Sequence, residues 1–77
     1  MVFDYSALRG RIREKFQTEQ NFCKAFGVAQ STLTQKLNNT YAFNAREIVK
    51  ACDLLEIPLE NVHRYFFTLK IQITETE

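Results

Sequence analysis

Apolar residues recur every four positions at Leu8, Ile12 and Phe16, the spacing of one helical face. This predicts a first helix over 5–16, with Asp4 as its cap. Arg9, Arg11, Arg13 and Lys15 occupy its other faces. Gly10 costs up to about 1 kcal/mol relative to Ala there, and its presence suggests a close helix contact. Thr18 is suited to cap a second helix over 19–26, with Phe22, Cys23 and Phe26 inward. Gly27 is suited to stop it in the left-handed conformation. A third helix is expected over 30–38, with only Leu33 and Leu37 as its apolar stripe. Residues 38–43 read as a loop. Asn44 and Glu47 have the spacing of a capping box for a fourth helix over 45–56, which buries Ile48, Cys52 and Leu55. Pro58 opens a short fifth helix over 59–65 with Val62 inward. From Phe66 the period shortens to two: Phe67, Leu69, Ile71 and Ile73 alternate with Thr68, Lys70, Gln72 and Thr74, the pattern of a strand.

Composition fits this reading. The chain has 77 residues, enough for one domain with a limited core. Two Gly and one Pro are too few for the many tight turns of an all-β sandwich. Seven Phe and three Tyr help fill a small core. No apolar run approaches the roughly 20 residues of a membrane-spanning helix. The opening MVFDYSALRG lacks the apolar stretch of a signal peptide, so the expected address is cytoplasmic.

Catalytic chemistry finds little support. The chain lacks GxxxxGK[ST], GxGxxG and HExxH, and its two serines, two aspartates and His63 show no nucleophile–base spacing. No enzyme activity and no cofactor are expected. Cys23 and Cys52 sit within apolar helical patterns without a CxxC, which reads as two buried thiols rather than a metal site.

The net charge of +1 conceals an asymmetry. Residues 1–50 hold eight basic and four acidic side chains, whereas residues 51–77 hold two basic and five acidic ones. Such a split can present a polyanion-binding end and an acidic end.

The segment EQNFCKAFGVAQSTLTQKLN, residues 19–38, places a short helix, a Gly-Val turn and a second helix whose outer face carries amides and hydroxyls. A helix of this kind fits the DNA major groove, where Gln, Ser and Asn match the exposed donors and acceptors. The stretch GVAQSTLTQKL resembles the turn and recognition helix of phage Cro and lambda-repressor-type helix-turn-helix proteins. VFDYSALRGRI and KLNN are similar to small phage proteins labelled as Cro repressors. The resemblance covers about residues 3–67.

It implies a mainly α fold, a five-helix, lambda-repressor-like DNA-binding domain over 1–66, to which the period-two alternation adds a C-terminal strand and tail over 67–77. It implies base reading by Gln30, Ser31, Thr34 and Gln35. It also implies contacts to the DNA backbone from Gln20, Thr32, Lys36, Asn38, Asn39, Thr40, Tyr41 and Arg46, with Arg9 and Arg13 from the basic face. One position departs from the family: Glu19 stands where that family often has Gln against a phosphate, and a carboxylate there is repulsive.

The expected function is a sequence-specific transcriptional regulator at a lysis/lysogeny switch, occupying operator DNA in a bacterial host as a nucleoid-associated homodimer. In this reading Phe67, Leu69, Ile71 and Ile73 pair across a two-fold axis and face the helical core. The alternative is an antirepressor that binds a partner repressor protein, with Asp53, Glu56 and Glu60 beside Phe66 and Phe67 as its contact.

Overall fold

The structure is a computed structural model that describes residues 2–69. Five α-helices follow in order: α1 (Ser6–Phe16), α2 (Glu19–Phe26), α3 (Gln30–Leu37), α4 (Ala45–Leu55) and α5 (Val62–Phe66). A 3-10 turn over Leu59–Asn61 leads into α5, so the expected fifth helix is a 3-10 turn followed by one and a half α-turns. α1 is the central element and packs on α2, α4 and α5, while α3 rests on α2.

Local sequence sets these boundaries. Thr18 Oγ1 accepts from the Asn21 amide at 3.0 Å, which satisfies a free N–H of the first turn of α2. Asn21 Nδ2 donates back to the carbonyl of Phe16 at 2.9 Å, so one corner serves the end of α1 and the start of α2. Gly27 has φ of 86° and donates to the Cys23 carbonyl, ending α2 in the left-handed region as anticipated. The capping box at α4 is complete: Glu47 N donates to Asn44 Oδ1 at 2.8 Å, and Asn44 N to Glu47 Oε1 at 3.0 Å. Asp4 acts one position further out than predicted. Its Oδ1 accepts from the Ser6 amide and hydroxyl, and Tyr5 stands at the cap position.

Leu8, Ile12, Phe22, Leu33, Leu55 and Phe66 are the largest fully buried side chains. Aromatic edges tie the elements together: Phe16 meets Phe22 at 5.4 Å, Phe22 stacks on Phe26 at 5.0 Å, and Phe43 lies edge-on to both Tyr5 and Phe66. Both cysteines are buried and unbonded. Burial pushes both thiols up from their ordinary pKa, with the charge of Glu19 adding to the effect at Cys23.

Two expectations require correction. A Cβ at Gly10 would meet nothing within 4 Å, so this glycine makes no close helix contact. The C-terminal strand is absent among the described residues. Phe66 completes α5 and is buried, and Phe67 follows as its C-cap. Leu69 forms a single antiparallel bridge with Phe3, and Asp4 N donates to the Thr68 carbonyl at 2.7 Å. The chain's own N-terminal segment thus meets the segment that was expected to pair across a dimer. Phe67 and Leu69 are about half exposed rather than turned to the core. Ile71 and Ile73 lie outside the described residues.

Candidate functional site: the outer face of the third helix

Leu33 and Leu37 anchor α3 on the core, and helical periodicity then turns Gln30, Ser31, Thr34, Gln35 and Asn38 to solvent. These five form one continuous face of amides and hydroxyls. Thr32 is half-buried at its margin. The start of α2 lies alongside: Gln20 is exposed, and a shallow hollow brings it together with Arg13, Thr18, Glu19 and Gln30. Thr40 and Tyr41 are exposed in the loop that follows α3.

The charges around this face are committed inside the fold. Lys36 is 8% exposed and points back rather than outward. Its Nζ donates to the Ala42 carbonyl at 3.0 Å, pairs with Glu47 Oε1 at 3.0 Å and sits over the Phe43 ring. That carboxylate oxygen is the one that caps α4, so a single atom joins α3, the loop and α4. Lys36 is therefore a structural cation, and its expected contact with a DNA backbone is not available from this position.

Arg9 is likewise engaged. Its guanidinium pairs with Glu19 at 2.9 Å and reaches Asn38 Oδ1 at 3.3 Å. The carboxylate that looked misplaced for a phosphate contact has an internal cation instead, and the pair links α1, α2 and the end of α3. Asn39 is also withdrawn. With φ of 68°, it accepts from Phe3 N at 2.8 Å and donates to Phe3 O at 3.0 Å, the two bonds a neighbouring strand would make. Its amide closes one edge of the N-terminal segment and is not free to bind a ligand.

Of the remaining predicted cations, Arg13 lines the hollow beside Gln30 and Arg46 stands on a different helix. Arg13 is exposed and has no ion-pair partner among the described residues. Arg46 lies exposed on α4, on the side of that helix away from the core. The patch predicted around Asp53, Glu56, Glu60, Phe66 and Phe67 does not assemble as drawn, because Phe66 is buried and Glu56 pairs with Lys15 at 3.0 Å. Sequence reasoning also missed Arg11. Its Nε donates to the Leu55 carbonyl at 2.9 Å and Nη2 to that of Glu56, placing a cation at the C-terminal end of the α4 dipole.

The face is thus polar, with Lys36 and Arg9 neutralised inside the fold and Arg13 left, among the described residues, as an exposed, unpaired cation in the hollow beside Gln30. The family described as "Protein of unknown function (DUF739)" matches residues 1–69. The chain belongs to the DUF739 family. No curated protein matches it. This DUF739 chain is similar to the solution structure of the modulator of repression (MOR) of the temperate bacteriophage TP901-1 from Lactococcus lactis, with 39% identity and a TM-score of 0.78. The match covers 94% of this chain and 97% of that one. These findings overturn the assignment to the Cro and lambda-repressor proteins: the family matched is DUF739, and the similar structure is that of a modulator of repression.

Proposed function

We propose that this DUF739 chain is a phage regulatory protein that modulates repression by binding a repressor protein, rather than by occupying operator DNA on its own. The observation that carries this reading is the internal use of charge around α3. Non-specific DNA affinity comes from cations that displace counterions from phosphates. Here Lys36 is spent on Glu47 and Ala42, and Arg9 on Glu19. A face of Gln30, Ser31, Thr34, Gln35 and Asn38 keeps its capacity for directional hydrogen bonds. With Arg13 as the one unpaired cation, among the described residues, in the hollow beside it, the face has little of the long-range attraction that holds a protein on DNA. Hydrogen bonds of this sort suit a protein surface. The likeness to a modulator of repression supports the same reading.

The DNA-reading alternative rests on the same four exposed residues, Gln30, Ser31, Thr34 and Gln35, so one experiment separates the two. Operator DNA from the phage's early promoter region is titrated with this chain, with the phage's repressor, and with both. The expected result is no shift by the chain alone at concentrations where the repressor shifts fully, and an altered repressor–operator complex when both are present. A specific shift by the chain alone, weakening with salt at a log–log slope of several units, overturns the proposal.

A further inference from the structure

The outer side of α4 carries a pattern that the face of α3 does not use. Arg46, Val49, Lys50 and Asp53 stand at i, i+3, i+4 and i+7, one solvent-facing stripe opposite the buried Ala51, Cys52 and Leu55. Val49 is 56% exposed, and Leu59, on the 3-10 turn just beyond α4, is 64% exposed. Val49 lies at the shared edge of two shallow hollows, one toward Ala45 and Lys50, the other toward Pro58 and Leu59. Arg46, Lys50 and Asp53 form no ion pair among the described residues, although most cations of α1 are paired.

This stripe is complementary to itself. When two copies of α4 are laid antiparallel about a two-fold axis between positions 49 and 50, position 46 of each meets position 53 of the other. Both Arg46–Asp53 contacts are then attractive, and Val49 of each copy fills the centre, while Lys50 reaches toward Gly27, its Nζ 3.5 Å from where a Cβ there would stand. A parallel arrangement would set Arg46 on Arg46 and Asp53 on Asp53. Charge order alone therefore selects the antiparallel pairing, which is the isologous geometry of a two-fold dimer. We propose that α4 is the contact of a symmetric homodimer of this chain. The apolar part is small, Val49 with Leu59 at its end, which places the assembly among weak, reversible dimers rather than obligate ones.

The test uses the full chain and two charge reversals, Arg46→Asp and Asp53→Arg. Both positions are exposed, and unchanged melting curves verify that each variant folds. Sedimentation equilibrium from the micromolar to the millimolar range is expected to show a monomer–dimer equilibrium for the wild type. Each single variant places like charges at both contacts, so each is expected to self-associate about tenfold more weakly. An equimolar mixture of the two restores both opposite-charge contacts, and its association is expected to return to the wild-type level. Three results overturn the proposal: a wild-type chain that stays monomeric throughout, single variants that dimerise as well as the wild type, or a mixture that fails to recover. If the wild type is monomeric and Arg46→Asp instead weakens binding to the repressor, the stripe belongs to that contact and the homodimer is excluded.

Discussion

α3 and α4 are both short amphipathic helices set on the same core, and they dispose of charge in opposite ways. α3 turns its single cation inward, where Lys36 meets Glu47, the Ala42 carbonyl and the Phe43 ring, and it leaves an outer face of amides and hydroxyls. α4 keeps Arg46, Lys50 and Asp53 on its solvent side and contributes Glu47 to the interior. The difference shows that formal charge along a sequence is not surface charge. Two of the four cations expected to meet phosphates, Lys36 and Arg9, are neutralised before any ligand arrives. In the proposed function recognition by α3 rests on short-range hydrogen bonds, and in the proposed dimer recognition by α4 rests on charge order.

The contrast depends first on α3 being anchored where it stands. Leu33 is fully buried, so Leu33→Ala is expected to cost about 2–5 kcal/mol. A domain of this size has only about 5–10 kcal/mol in all, so the variant should be partly unfolded near body temperature. Urea denaturation followed by circular dichroism measures the loss. A cost below about 1 kcal/mol would mean that α3 does not depend on this contact, and its outer face would then need to be redrawn.

A sharper comparison sets the two lysines against each other. Lys36→Met keeps the alkyl volume but removes the ammonium, which takes the lysine donor from the Ala42 carbonyl and leaves the Glu47 carboxylate with the Asn44 amide but without its cation. The expected loss is about 1–3 kcal/mol. Lys50→Met, on the exposed side of α4, is expected to stay within about 0.5 kcal/mol of the wild type. Equal losses at the two positions would remove the distinction between a structural cation and a surface one.

The helices themselves were legible because their signals are local. Thr18, Gly27 and the Asn44–Glu47 box act within four residues of themselves, and the predicted ends of α2 and the start of α4 agree with the structure. The site was legible only in part. Periodicity correctly turned Gln30, Ser31, Thr34 and Gln35 outward. The resemblance, not the periodicity, put Lys36 against a DNA backbone, and nothing near Lys36 in the sequence reveals that Ala42 and Glu47 fold back over it. Arg9 with Glu19 and Asn39 with Phe3 are separated by 10 and 36 residues, and such pairings are invisible to a pattern read along the chain. The alternation from Phe67 misled for a related reason. Period two reports a capacity for extended structure, but the partner for Leu69 is Phe3 at the other end of the chain. The resemblance to Cro-type proteins followed the α2–turn–α3 segment, which carries the outward amides but not the internal ion pairs.

Releasing a committed charge tests the electrostatic half of the comparison. Glu19→Gln frees Arg9 beside the C-terminal end of α3. Arg9 is more than a third exposed, so the stability loss is expected to be below about 1 kcal/mol. The informative readout is DNA. Any weak binding of the chain to random duplex should gain about 0.9 in its log–log salt slope, because one more cation is available to a phosphate. An unchanged slope with normal folding would show that Arg9 does not reach the ligand even when free, and the neutrality of the face would then owe nothing to this pair.

The smallest expected effect concerns Lys15 and Glu56, an ion pair exposed enough to contrast with Lys36 and Glu47. The hydrogen bond from Lys15 and its charge, helped by the charge of Arg11, hold the Glu56 carboxyl below its ordinary value of 4.5. The group is therefore more acidic folded than unfolded. Its contribution is fully present above the ordinary carboxylate range and is lost as the pH falls through the lowered folded value. Glu56→Gln should accordingly lower the melting temperature slightly near neutrality, and the difference from the wild type should vanish in acid below that range. Glu56 sits at φ of 56°, a strained backbone that Gln shares, so the substitution isolates the charge from the conformation. Because water surrounds the pair, added salt should shrink the difference at neutral pH, whereas the loss caused by Lys36→Met should persist in salt. Equal sensitivity of the two would mean that the Lys36 ammonium is as well solvated as that of Lys15, and the contrast between inward and outward charge would fail at its origin.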